Sequence, residues 1–304
     1  MHLEPRFADV ELSTGVRLHL ARCGSTANPP LVLLHGFPEF WAAWAEVMPL
    51  LGEHFDLLVP DLRGFNRSDK PGAIRDYRAG LVAADICALM DAFGYREAYV
   101  AGHDWGGVVA WALAIRHPDR VAALGICNAP HPYLFAQALA RDPAQQKASA
   151  YMDWLRRSGS DTALLNNDCA LLERFFLGPG TGNATPPAWW NAQRRALYRE
   201  AWTQPGAILA GTHYYRAAPK ACGDAAMALE PEDFHVQVPT LVLWGEKDEA
   251  LLCSLLDGLE DFVARLWIKR MPQASHWLLH EEPALVAEAL RNHFEAHPIG
   301  PARR

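Results

Sequence analysis

An α/β architecture, with a mostly parallel sheet and helices on its faces, is predicted by two observations on this 304-residue chain. Short apolar runs alternate with helical patterns over residues 1–130, which is how a chain builds parallel strands joined by crossover helices. The alternation then stops from about 131 to 235, where only helical stretches and loops are legible. A strand returns at Val238-Pro239-Thr240-Leu241-Val242-Leu243-Trp244-Gly245. The economical division is a core made of 1–130 and 236–304, with a helical domain over 131–235 inserted between its two pieces.

Taken in order, residues 7–12 and 16–22 flank Ser13-Thr14-Gly15 and are expected to form an opening hairpin. Val16, Leu18 and Leu20 alternate with Arg17 and His19, the period of a half-exposed strand. Pro30-Leu31-Val32-Leu33-Leu34 is apolar past its proline and suits a central strand covered on both faces. It runs into His35-Gly36-Phe37-Pro38-Glu39. A helix carrying Trp41, Trp44, Val47 and Leu50 is expected next, then a buried strand over Leu57-Leu58-Val59-Pro60 and a polar loop from Asp61 to Pro71. Residues 79–93 read as a helix on Leu81, Ile86, Leu89, Met90 and Phe93. A strand at 98–101, a helix at 106–117 and a strand at 121–127 follow. Within the insertion, Gly178-Pro179-Gly180-Thr181-Gly182-Asn183 breaks the helical pattern, and aromatic residues are dense. A strand over 264–269 and a helix over 282–295 close the chain.

Composition narrows the function classes. Hydrophobic residues make up 50% and charged residues 21%, which is ordinary for a globular protein. The net charge of −7 is dispersed, with no basic run longer than a pair such as Arg303-Arg304, so nucleic-acid binding and polybasic membrane attachment are disfavoured. No secretory signal is legible at the N-terminus, and no apolar run approaches the ~18 residues of a membrane span. Cysteines 23, 87, 127, 169, 222 and 253 are scattered without metal-type spacing and read as thiols in a reducing compartment. A cytoplasmic protein is expected.

The chemistry centres on Ala101-Gly102-His103-Asp104-Trp105-Gly106-Gly107. An apolar strand leads into it and a helix leaves it, the setting of a nucleophile elbow, G-x-S-x-G, with Asp104 where serine usually stands. A helix-capping role for Asp104 would leave the flanking glycines unexplained. Together with His35-Gly36-Phe37-Pro38, Asp61-Leu62-Arg63-Gly64 and the helical insertion, this elbow resembles the α/β-hydrolase fold over nearly the whole chain. The resemblance implies a mostly parallel eight-stranded sheet flanked by helices, with an all-helical cap. It also implies a triad in the order nucleophile, acid, base. Trp244-Gly245-Glu246-Lys247-Asp248 supplies the acid, Asp248 being favoured over Glu246 and Glu249 by its spacing after the strand. Ala274-Ser275-His276-Trp277 supplies the base, His276. His35 and His103 are read as structural, and Asn66 stands where many relatives have glycine, so a different local turn is expected there.

Aspartate in place of serine changes what can be attacked. A carboxylate at neutral pH is already charged and needs no base before it attacks. Attack on an sp³ carbon bearing a leaving group gives an ester whose carbonyl belongs to Asp104 itself. Water activated by His276, with Asp248 orienting the imidazole, would hydrolyse that ester, and the backbone N–H groups of Phe37 and Trp105 would meet the oxyanion.

An epoxide oxygen and a halide both fit as leaving groups. In epoxide hydrolases of this fold the cap supplies two tyrosines, and Tyr151 and Tyr215 occupy similar places here. Tyr214 points ~100° away from its neighbour on a helix. The His35-Gly36-Phe37-Pro38-Glu39 loop resembles the epoxide hydrolase form, in which the bond before the proline is cis. Glu39 is read as a proton relay or, equally, as a solvent-facing or capping residue. Fluoroacetate dehalogenases carry arginines where Trp105 and Val108 stand, and haloalkane dehalogenases usually place Asn or Trp where Phe37 stands. The resemblance therefore implies epoxide hydrolysis to vicinal diols, with dehalogenation as the alternative and a non-catalytic small-molecule receptor as the second. Pro38, Trp154 and Trp277 are expected to line the pocket, for an apolar or aromatic epoxide. No cofactor and no metal are implied, and a homodimer is left open.

Overall fold

A computed structural model describes residues 4–177, 186–218 and 229–299. The Gly178–Asn183 loop and Cys222 lie outside the described residues, as do Arg303 and Arg304. Eight strands form one sheet: β1 (Arg6–Glu11), β2 (Arg17–Cys23), β3 (Pro30–Leu34), β4 (Asp56–Pro60), β5 (Ala98–His103), β6 (Val121–Cys127), β7 (Thr240–Gly245) and β8 (Leu266–Met271). Their spatial order is β1-β2-β4-β3-β5-β6-β7-β8. β1 and β2 pair antiparallel, as do β2 and β4, and every later pairing is parallel. The fully apolar runs expected in the middle are there: β3, β4, β5 and β7 are buried along their whole lengths.

Helices α2 (Ala79–Ala92), α3 (Trp105–Arg116) and α11 (Pro283–Glu295) cover the sheet, which separates the core into two apolar clusters. Between β6 and β7 the regular elements among the described residues are helical, α4 (Pro132–Arg141), α5 (Pro143–Ala148), α6 (Ala150–Leu155), α7 (Ser160–Leu177), α8 (Ala192–Trp202), α9 (Ala207–Ala217) and a 3₁₀ turn, Pro231–Phe234, apart from a lone bridge of Val236 to Val263. α7 is broken at Asn166–Cys169, where the backbone is not helical.

Three expectations are corrected. The helix over Trp41 to Leu50 is a 3₁₀ turn, Trp41–Trp44, followed by the four-residue α1 (Met48–Leu51). Pro49 explains the split, since a proline lacks the N–H and clashes with the carbonyl four residues back, so it starts a helix rather than continuing one. β8 lies two residues further on than 264–269, because it pairs in register from Thr240 with Leu266 to Gly245 with Met271. β5 likewise runs on to His103, its glycine held in the ladder opposite Ile126. No disulfide joins the described cysteines, and no described helix is long and apolar enough to cross a membrane.

Candidate active site

Parallel strands point their C-terminal ends the same way, so the loops that follow them converge, and in such sheets those ends are where sites form. Phe37 follows β3, Asp104 follows β5, Asn128 follows β6, Asp248 follows β7 and His276 lies between β8 and the short helix α10 (Leu278–Glu281). Asp104 has φ 51° and ψ −122°, a backbone region that residues with a side chain rarely adopt. The turn around it is too tight for side chains. A Cβ on Gly102 would stand 2.3 Å from the Gly106 carbonyl oxygen, and one on Gly106 would stand 2.3 Å from that of Leu34. The Asp104 side chain makes no capping bond to α3, so the capping reading fails.

The Phe37 N–H donates to Asp104 Oδ1 at 2.8 Å, and the backbone N–H of Trp105 favours the same carboxylate's charged form. His276 donates from Nδ1 to Asp248 Oδ2 at 2.7 Å and turns Nε2 toward Asp104 Oδ2, 3.7 Å away. The elbow, the acid and the base are thus brought together. Glu246 pairs instead with Arg270, and Glu249 is exposed.

Electrostatics follow from burial and partners. Burial pushes the Asp104 carboxyl above its ordinary value, and the charges of His276 and His103, with the two backbone N–H groups, oppose that rise only in part. Burial also pushes Asp248 up, but the His276 charge and hydrogen bond, the Leu251 N–H and the Asn128 amide hold it below its usual value. For His276, burial favours the neutral ring, yet the negative charges of Asp248, Asp104 and Glu39 prevail and push it up to about 9.

Tyr151 and Tyr215 meet with ring centroids 6.2 Å apart, and their hydroxyls interact. Burial, and then nearby negative charge including that of Asp104, raises both phenols above their ordinary value. They therefore stay protonated. The Trp105 ring stands edge-on to Tyr215 at 5.1 Å. Tyr214 turns away and donates to the Arg63 carbonyl at 2.9 Å.

The pocket residues fall out unequally. The Phe37-Pro38 bond is cis, and the Pro38 carbonyl accepts the Trp202 indole N–H at 2.6 Å. Trp277 packs edge-on to the His276 ring at 4.8 Å and donates to the Phe175 carbonyl. Trp154 is half-buried and packs against the larger apolar cluster. His35 is buried, donating to the Gly36 carbonyl and accepting from Leu62 N–H; burial pulls it down to about 4, so it stays neutral. Asn66 takes a φ of 40°, which asparagine tolerates in place of glycine, and its amide donates to Asp61. Glu39 is only 2% exposed, which excludes the solvent-facing reading.

Sequence reasoning missed two residues. Asn128 donates to Asp248 Oδ2 at 2.7 Å while its carbonyl oxygen accepts the Gly245 N–H, so one side chain fixes both the acid and the end of β7. Its φ of 39°, right after a strand, is the kind of position only asparagine or glycine fills easily, but φ is invisible in a sequence. Phe175 places its ring 5.9 Å from Phe37 and 6.4 Å from Tyr151, one aromatic among many in the insertion.

Known proteins resemble this chain along most of its length. It is 34% identical to the AB hydrolase superfamily protein YfhM of Bacillus subtilis, over 93% of this chain and 96% of that one. It is 30% identical to human Epoxide hydrolase 4, over 90% of this chain and 74% of the relative. Among solved structures, a variant of an epoxide hydrolase from Bacillus megaterium complexed with its product, (R)-3-[1]naphthyloxy-propane-1,2-diol, superposes with a TM-score of 0.85 at 27% identity, covering 94% of this chain and 99% of that one. The family described as alpha/beta hydrolase fold matches residues 29–283, and with the sheet order and the elbow on β5 it follows that this chain belongs to the alpha/beta hydrolase fold family.

Proposed function

We propose that the protein is an epoxide hydrolase that adds water to an epoxide and releases a vicinal diol. The observation that carries this reading is the pair of phenols, Tyr151 and Tyr215, with rings 6.2 Å apart, Tyr215 lying 5.1 Å from Trp105 of the elbow and 5.4 Å from Phe37, the two residues that flank the Asp104 carboxylate. Asp104 attacks an epoxide carbon. The ring oxygen, which leaves as an alkoxide, takes a hydrogen bond or a proton from the tyrosines. A halide would need neither phenol.

The product of this first half is an ester on Asp104. Formation of the ester removes the Asp104 charge, one of the three negative charges that keep His276 protonated. His276 then gives up its proton to solvent, which balances the proton taken up by the alkoxide or by the tyrosine that protonated it, and accepts one from water, with Asp248 holding the Nδ1 side. Water attacks the Asp104 carbonyl, and the Phe37 and Trp105 N–H groups meet the oxyanion; losing one such donor typically costs about 3 kcal/mol. Collapse expels the ester oxygen of the diol, which takes that proton from His276, and leaves Asp104, once its own proton has passed to His276, as the carboxylate.

Two features weigh against dehalogenation. Phe37 offers no side-chain donor, and neither Trp105 nor Val108 can clamp a substrate carboxylate. The relatives named epoxide hydrolases and the diol product bound in the similar structure support the same reading. The helices between β6 and β7 then act as the cap, and the aromatic rings of Phe37, Phe175, Trp105 and the two tyrosines suit an apolar or aromatic epoxide.

The test is turnover of styrene oxide beside an alkyl halide, with products separated by chromatography. Diol from the epoxide and no halide release is expected. Halide release without diol would replace this reading, and inertness to both panels would favour a receptor.

A further inference from the structure

The catalytic steps leave a buried cluster beside His276 unused. Its centre is Glu39, two residues after the oxyanion donor Phe37. Glu39 Oε1 accepts from His280 Nε2 and from the Tyr198 hydroxyl, each at 2.7 Å, and Oε2 stands 3.2 Å from His103 Nδ1. His103, next to Asp104 in sequence, donates from Nε2 to the backbone carbonyl of His276 at 2.8 Å. His280 lies on α10, immediately after the His276 loop, with Trp189 stacked on its ring at 4.5 Å. Beyond it, His280 Nδ1 faces Arg194 at 3.0 Å and Glu46 at 3.8 Å, and Arg194 and Glu46 pair with each other at 2.5 Å.

We propose that His280 is a positioning residue for this reaction, anchoring the Glu39 carboxylate that ties the Phe37 loop, the elbow and the His276 loop to helix α8. The proposal rests on the epoxide hydrolase reading above, since it concerns how that site is held. Each part of the site has one contact to the cluster. Glu39 belongs to the loop of Phe37, His103 to the elbow, His280 to the segment of the base, and Tyr198 to α8. Trp202, one turn beyond Tyr198 on the same helix, holds the Pro38 carbonyl between Phe37 and Glu39.

Physical chemistry requires His280 there. Burial alone pushes the Glu39 carboxyl up; the charges of His280 and then His103, with their hydrogen bonds, hold it well below the usual carboxylate range. A buried carboxylate that loses a hydrogen-bond donor either takes up a proton or moves its loop. Either response reaches the reaction. A moved loop carries the Phe37 N–H away from Asp104, and a neutral Glu39 removes one of the charges that support protonated His276. Asp248, Asp104 and His103 are the other titratable groups facing that imidazole.

The test follows ester formation and ester hydrolysis separately, by rapid quench and intact mass, with styrene oxide across the neutral pH range. His280→Gln, which keeps one N–H toward Glu39, should slow ester hydrolysis about tenfold, and His280→Leu more. Both should move the pH midpoint of hydrolysis downward. Tyr198→Phe, which removes a single hydroxyl, should act in the same direction but less, and decides the matter if His280→Leu does not fold. Variants that only melt earlier, with rate and midpoint unchanged per folded molecule, would overturn the proposal alone. A wild type that forms no ester would overturn the epoxide hydrolase reading, and this proposal with it.

Discussion

His276 Nε2 stands 3.7 Å from Asp104 Oδ2, beyond direct hydrogen-bond range, while its Nδ1 is held at 2.7 Å by Asp248. An imidazole fixed on one side and unbound on the other suits a base whose proton comes from water rather than from the nucleophile. His276→Gln should therefore still form the ester and fail to hydrolyse it. Intact mass should show an adduct equal to the whole mass of styrene oxide, with turnover down about 10²–10⁴-fold. An unmodified protein after incubation would sink the covalent scheme.

The two phenols share one task, so their removal should not be additive. Tyr151→Phe or Tyr215→Phe alone leaves one donor, and ester formation should fall about tenfold to a hundredfold in each. The double variant should lose more than the product of the two. Rapid-quench rates of the first half-reaction measure this, and a double variant that alkylates as fast as wild type would remove the tyrosines from the mechanism.

Opposite pH slopes are expected for the two half-reactions. Ester formation needs ionised Asp104, whose carboxyl burial raises, so its rate should fall as pH drops through that raised value. Ester hydrolysis needs neutral His276, which sits at about 9 while Asp104 is charged. Esterification removes the Asp104 charge, so the hydrolysis rate should rise with pH through a midpoint below 9. Single-turnover rates at several pH values test both signs at once.

Asn128→Ala should weaken the acid rather than the nucleophile. It deletes the bonds to Asp248 and to the Gly245 N–H, and places alanine where φ is 39°. A loss of about 1–3 kcal/mol in thermal or denaturant unfolding is expected, together with slower ester hydrolysis and little change in ester formation. Equal slowing of both halves would mean that Asn128 acts on more than Asp248.

Much of this was legible because local sequence carries it. Strand and helix periodicity placed the sheet elements to within about two residues at most ends, and the glycines around Asp104 announced a turn that only a close backbone approach requires. The site residues were readable where they sit at strand ends, since the loop after a strand has a fixed place in a parallel sheet. Glu39 and Asn128 were not. Glu39, between Pro38 and Phe40, reads equally as a relay or as a solvent-facing or capping residue, and its burial comes from Tyr198 and His280, far along the chain. Asn128 looks like a turn residue, and its role depends on two acceptors and donors brought by β7.

The sequence by itself determined the α/β layering, the helical stretch between β6 and β7, and an aspartate on an elbow, because each rests on contacts or preferences spanning a few residues. Only the tertiary structure decided what surrounds that aspartate. Charge and hydrogen bonding act through space, so the rise of His276 to about 9, the turning of Tyr215 toward Trp105, and the burial of Glu39 between His103 and His280 depend on groups that meet only when the loops at the sheet's end converge.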